Sequence, residues 1–178
     1  MAGLREAGFL KSKHSTINDI IKRALTSSGI PAILEPTGIN RTDGKRPDGL
    51  TLVPWSRGKS LMWDTTCVDT LAPYHLLSTS KIASSAAESA VHNERHKYVH
   101  LVDNYIFIVF AVQTLGSWCK EAKDLVSEIG RSLVTVTGDP HCTNYLRQRI
   151  GIAIQRGNAA SILGTFPDAN SLDKIFLI

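Results

Sequence analysis

A chain of 178 residues with 43% hydrophobic content is long enough to bury one core and short enough to need no second domain. The 20 Lys plus Arg against 16 Asp plus Glu leave a net charge of +4, while three scattered cysteines (Cys67, Cys119, Cys142) with no C-x-x-C pair indicate neither a zinc knuckle nor a disulfide framework. No apolar run is long enough for a signal peptide or a membrane span, so a soluble chain in a reducing, intracellular compartment is expected, with no membrane partner.

Residues 1–13 show little pattern and are expected to be loose. From Ser15 to Ala24 the apolar residues Ile17, Ile20, Ile21, Ala24 and Leu25 recur at helical spacing, with Ser15 as N-cap and Gly29 as C-cap. Ile30 to Leu34 reads as a short strand, closed by Glu35-Pro36-Thr37-Gly38 and followed by a polar loop from Asn40 to Lys45. Arg46-Pro47-Asp48-Gly49 then opens a hairpin. Leu50, Leu52 and Val53 form its first strand, Pro54, Ser56 and Gly58 its turn, and Leu61-Met62-Trp63 leads to Asp64 on its second strand. Cys67 and Val68 extend that strand.

A long helix is predicted from about Ser80 to Val102, with an apolar stripe of Ala83, Ala87, Ala90 or Val91, Tyr98 and Leu101, and Lys97 on its flank. Tyr105 to Val112 is nearly all apolar, the pattern of a central strand covered on both faces. Two helices follow, at about 118–133 and 143–162, the second carrying Arg147, Arg149 and Arg156. The tail from Pro167 to Ile178 has no placement. The order α-β-β-β-α-β-α-α predicts a single α/β domain with a mixed central sheet flanked by helices. Its core spans 14–112 and a helical extension of the same domain spans 113–166.

Asp48 and Asp64 lie on adjacent strands of one hairpin and can converge on a hard cation, since Mg²⁺ takes oxygen ligands and keeps several waters. The plainer reading makes Pro47-Asp48-Gly49 a turn and Asp64 a strand acid paired with a basic neighbour. The basic surplus supports a polyanion partner: residues 1–100 hold 13 basic and 9 acidic side chains, against 7 and 7 in 101–178. Lys45, Arg46, Arg57 and Lys59 surround the acidic hairpin and are the candidate phosphate contacts, or ordinary loop charges. His92, His96 and His100 recur every four residues, a spacing that chelates metals on some helices and is a solvated face on most.

With Pro47-Asp48 and Asp64 in the order helix, strand, hairpin, helix, strand, the chain resembles the PD-(D/E)-x-K nuclease superfamily. Thr66 stands where that pattern has its lysine. The nearest variant is the restriction-like endonuclease region of site-specific non-LTR retrotransposons, whose lysine comes from the following helix. Arg46-Pro47-Asp48, Asp64 and Lys97-Tyr98 are similar to it, and His14, Asn18 and Glu35-Pro36 resemble its lead-in segment. Gln155-Arg156-Gly157-Asn158 resembles reverse-transcriptase-associated reading frames, though the chain has no Tyr-x-Asp-Asp element.

The resemblance, over roughly residues 14–112, implies a restriction-endonuclease-like core and a metal-dependent DNA endonuclease. In it Asp48 and Asp64 bind Mg²⁺ (or Mn²⁺) and Lys97 is the catalytic cation. Glu35, Tyr98 and His14 are possible accessories, DNA is the partner, no small-molecule cofactor is needed, and the location is nuclear. The alternatives are a catalytically inactive remnant that binds nucleic acid, and a structural or protein-interaction domain.

Overall fold

The computed structural model describes residues 2–39, 44–101 and 103–163. Most of the predicted Asn40–Lys45 loop, the end of the helix predicted to Val102 and the tail from Pro167 lie outside the described residues, as does the boundary at 166. Helix α1 (Ala2–Ser27) buries Ile17, Ile20, Ile21, Ala24 and Leu25, the i, i+3, i+4, i+7, i+8 stripe of a helix lying on a core. It ends at Gly29, whose φ of 82° lets the Ile30 N–H return to the Leu25 carbonyl at 2.9 Å. The expectation of a loose residue 1–13 segment and a cap at Ser15 is corrected, because the helix already runs through both. Ala, Leu, Glu and Lys fill that stretch, and extending an existing helix costs far less than nucleating one.

Four strands form one sheet in the order β1-β2-β3-β4: Ala32–Leu34, Gly49–Thr51, Leu61–Val68 and Ile106–Gln113. The first two pairings are antiparallel and β3–β4 is parallel, in register from Leu61 opposite Ile106 to Val68 opposite Gln113. A parallel pair needs a crossover. Here it comprises α2 (Leu76–Thr79), α3 (Ser85–Lys97) and a 3₁₀ turn (Val99–Leu101).

The single helix predicted from Ser80 is thus broken. Ser78 and Ser80 hydroxyls donate to the carbonyls of His75 and Leu77 (2.9 and 3.2 Å), and Ser84 turns the chain at φ 69°. Serines that bond nearby backbone in this way compete with a continuous helix. The strand predicted as central is β4, which stands last in the strand order. Its apolar run is satisfied by coverage of its faces by α3 and α4, so continuous burial reports covered faces and not the number of strand neighbours.

Helix α4 (Lys120–Thr137) starts where Cys119 Sγ accepts from the Ala122 N–H and stops at Gly138 (φ 76°). Helix α5 (Cys142–Leu163) packs on α1 and α4 through Leu146, Ile150, Ala153, Ile154 and Gly157. Helix α1 covers the sheet face of Trp63 and Thr65, and Tyr98 at the end of α3 reaches Asp64 on the other face. The described elements share one hydrophobic cluster, and no helix among them is long and apolar enough to cross a membrane.

Candidate active site

The β2–β3 register pairs Gly49 with Trp63, and the Asp48 N–H, one residue before Gly49, also turns to Trp63, so that two residues of one strand face one of the other. Gly49 is required there: a Cβ would lie 2.0 Å from the Trp63 ring. The Asp48 N–H donates to the Trp63 carbonyl (3.1 Å), while its Oδ2 accepts from the Thr65 N–H (2.6 Å). Asp48 therefore grips β3 on both sides of Asp64.

Asp64 is 9% exposed, and burial pushes its carboxyl up to about 7 from 3.8, with the Asp48 charge as the second cause. The Tyr98 hydroxyl donates to Asp64 Oδ1 (3.0 Å) and opposes the rise, and the Glu94 charge adds to it. Among the described residues no donor sits on Asp48 Oδ1 or Asp64 Oδ2. Two carboxylates whose charges act on each other, one of them out of water and each with an oxygen to offer, suit a hard cation. The described residues gather no third His, Cys, Asp or Glu into such a group, so water would complete the coordination, as Mg²⁺ prefers.

His14 Nε2 lies 2.9 Å from Asp48 Oδ2. Its hydrogen bond to Asp48 raises the imidazole pKa above the usual 6.5, against the opposing effect of burial. One turn along α1, Asn18 Oδ1 accepts from the Trp63 indole N–H (3.1 Å) and the Thr65 hydroxyl (2.6 Å), and Nδ2 faces His14 Nδ1 at 3.4 Å. An indole N–H can only donate, so the Asn18 amide cannot be turned round. His14 Nδ1 thus accepts, and Nε2 carries the proton that points at Asp48.

Lys97 closes α3, and its ammonium bonds Glu94 Oε1 at 2.5 Å. Glu94 is the site residue that the sequence alone does not single out. It lies one turn before Tyr98 on the same helical face, and that i, i+4 spacing is the available signal. Tyr98 is fully buried and also lies 3.4 Å from the Arg46 carbonyl, tying α3 to the segment before Asp48. Glu35 adopts φ 47° after β1, and its N–H donates to the Asp48 carbonyl (2.9 Å), while its side chain is exposed.

Lys45 and Arg46 are exposed just before the acids. Arg57 and Lys59 are not brought to them. Lys59 lies five residues before Asp64, roughly 16 Å back at strand rise. With Glu128 both line a separate depression at the start of β4. His92 and His96 are exposed and bond each other (Nε2 to Nε2, 3.2 Å), whereas the His100 side chain lies outside the described residues. Compared with known proteins, the chain matches no family model and no curated protein.

Proposed function

We propose that the chain is a metal-dependent DNA endonuclease domain of restriction-like type, derived from a non-LTR retrotransposon, with Asp48 and Asp64 as the ligands of Mg²⁺ or Mn²⁺. One observation carries this reading: Asp48 grips β3 on both sides of a buried Asp64 whose ionised form needs a positive neighbour. A mixed sheet in which only β3 and β4 run parallel, with α3 crossing between them, supports a restriction-endonuclease-like core. Fold alone does not carry function, so the weight rests on the acids.

The cation, when bound, supplies an activated water and neutralises phosphoryl charge. Asp48 and Asp64 would hold it. The Thr65 N–H and His14 fix the orientation of Asp48, and Tyr98 fixes that of Asp64. Lys97, on leaving Glu94, places its charge against the phosphate as negative charge develops there. Nicking of supercoiled plasmid tests the reading. The native chain with Mg²⁺ should nick, EDTA should abolish the activity, and Asp48→Ala or Asp64→Ala should lower it by about 100-fold or more. Equal nicking by all three proteins sinks the proposal.

A second reading has its own support. With Thr66 in the lysine slot and the Lys97 ammonium held by Glu94, the fold also suits a non-catalytic nucleic-acid binder. That protein binds DNA in a salt-sensitive way and cleaves none of it.

A further inference from the structure

Helix α1 carries two adjacent residues with opposite outlooks. His14 turns to Asp48, and Lys13 turns to α5, where its buried stem runs along Gly157 and its ammonium donates to Asn158 Oδ1 at 2.7 Å. Asn158 in turn donates to the Thr114 carbonyl beyond β4. This junction closes one end of a groove of about 670 Å³ between α1 and α5.

The α5 wall of the groove is a single stripe of Tyr145, Arg149, Ile152 and Arg156, one face of the helix over three turns. Tyr145 is 57% exposed and Ile152 is 53% exposed, although both sit at spacings that usually mark a buried face. Arg149 and Arg156 are also exposed, and neither is ion-paired among the described residues. Among the described residues the one carboxylate lining the groove is Asp19, and it is bonded by Arg23 at 2.8 Å.

We propose that this groove holds the phosphate backbone of a single nucleic-acid strand, with Arg149 and Arg156 on phosphates and Tyr145 under a base. The proposal rests on the endonuclease reading for the strand's origin. Charge complementarity chooses a polyanion. The exposed Tyr145 and Ile152, alternating with the arginines along the stripe, choose a single strand, whose bases have free faces, over a duplex whose bases are already stacked. A run of acidic side chains offers the charge but no aromatic face to stack on Tyr145.

The experiment is binding of a fluorescently labelled oligonucleotide, single-stranded or duplex, measured by anisotropy in EDTA across a salt series. The native chain, Arg149→Ala/Arg156→Ala, Tyr145→Ala and Asp48→Ala are compared, and thermal melting confirms that each is folded. The arginine pair should weaken single-strand binding by about tenfold at 0.1 M salt and lower the salt slope by about 1.4, or about 0.7 for each phosphate no longer neutralised. Tyr145→Ala should weaken it with the slope unchanged, and the charge-conserving double variant Arg149→Lys/Arg156→Lys should restore most of it.

Native-like binding by the arginine variant overturns the groove while leaving the endonuclease reading standing. An equal loss on duplex and single strand, or displacement by poly-glutamate as readily as by unlabelled oligonucleotide, overturns the single-strand assignment. A native chain that binds no oligonucleotide overturns both the groove and the endonuclease reading.

Discussion

Trp63 dictates the tautomer of His14 although the two side chains do not bond each other. The indole N–H fixes the Asn18 amide, and the amide fixes which imidazole nitrogen faces Asp48. Asn18→Ala would strand the Trp63 N–H and the Thr65 hydroxyl in a buried setting. It should cost about 1–3 kcal/mol for each group left unsatisfied, read from urea unfolding. Asn18→Asp keeps an acceptor for Trp63 and turns the other oxygen to Nδ1, so the His14 pKa should rise further, as followed by NMR of the imidazole. An unchanged His14 titration in that variant would refute the relay.

Stability in EDTA should fall as pH rises. Between 3.8 and about 7 the unfolded chain has released the Asp64 proton and the folded chain has kept it, so folding is progressively disfavoured across that window. The loss is about 4 kcal/mol at most. The raised pKa of His14 acts in the same direction: its contribution is complete below 6.5 and is lost as pH climbs through its folded value. Mg²⁺ should raise the melting temperature at pH 8 and have little effect at pH 5, where Asp64 holds its proton. Asp64→Asn should stabilise the protein at pH 8 in EDTA and abolish the Mg²⁺ effect.

Glu94 should control both Asp64 and Lys97. Glu94→Gln removes a negative charge near Asp64 and frees the Lys97 ammonium. The Asp64 titration should move to lower pH, and the acid limb of any Mg²⁺-dependent nicking should move with it. Lys97→Ala should lower nicking while leaving the Asp64 carboxyl raised by its burial. An acid limb that stays in place in Glu94→Gln would separate Glu94 from the site.

Two glycines should respond differently to alanine. At Gly49 a Cβ meets the rigid Trp63 ring at 2.0 Å, whereas at Gly157 it meets the flexible Lys13 stem at 2.3 Å. Gly49→Ala should cost more than the roughly 1–3 kcal/mol usual for overpacking, and Gly157→Ala should fall within that range. Thermal or urea unfolding measures both, and the reverse order would contradict the packing described.

The hairpin and its acids are readable because the apolar run Leu61-Met62-Trp63 into Asp64 and the turn at Ser56 and Gly58 are local signals, and both survive folding. The helix after them reads as one piece, since periodicity does not register serines that bond their own backbone. Glu94 is easily passed over although its spacing to Tyr98 is in plain view, because nothing in the sequence says which face of α3 meets Asp64. Arg57 and Lys59 group with the acids by closeness along the chain, yet a hairpin turn stands at the far end of its strands from their open ends. Gly157-Asn158 stands out as a motif, and its physical reason, the Lys13 stem and ammonium, lies 144 and 145 positions away along the chain.

Trp63 also gives the protein an optical reporter. It is fully buried, its indole N–H is bonded to Asn18, and its backbone carbonyl is one of the two contacts that Asp48 makes with β3. The other two tryptophans, Trp55 and Trp118, are only half-buried and lie away from the acids. In a chain carrying Trp55→Phe and Trp118→Phe, the emission of the remaining indole would follow proton and cation occupancy of the carboxylate pair directly, without substrate.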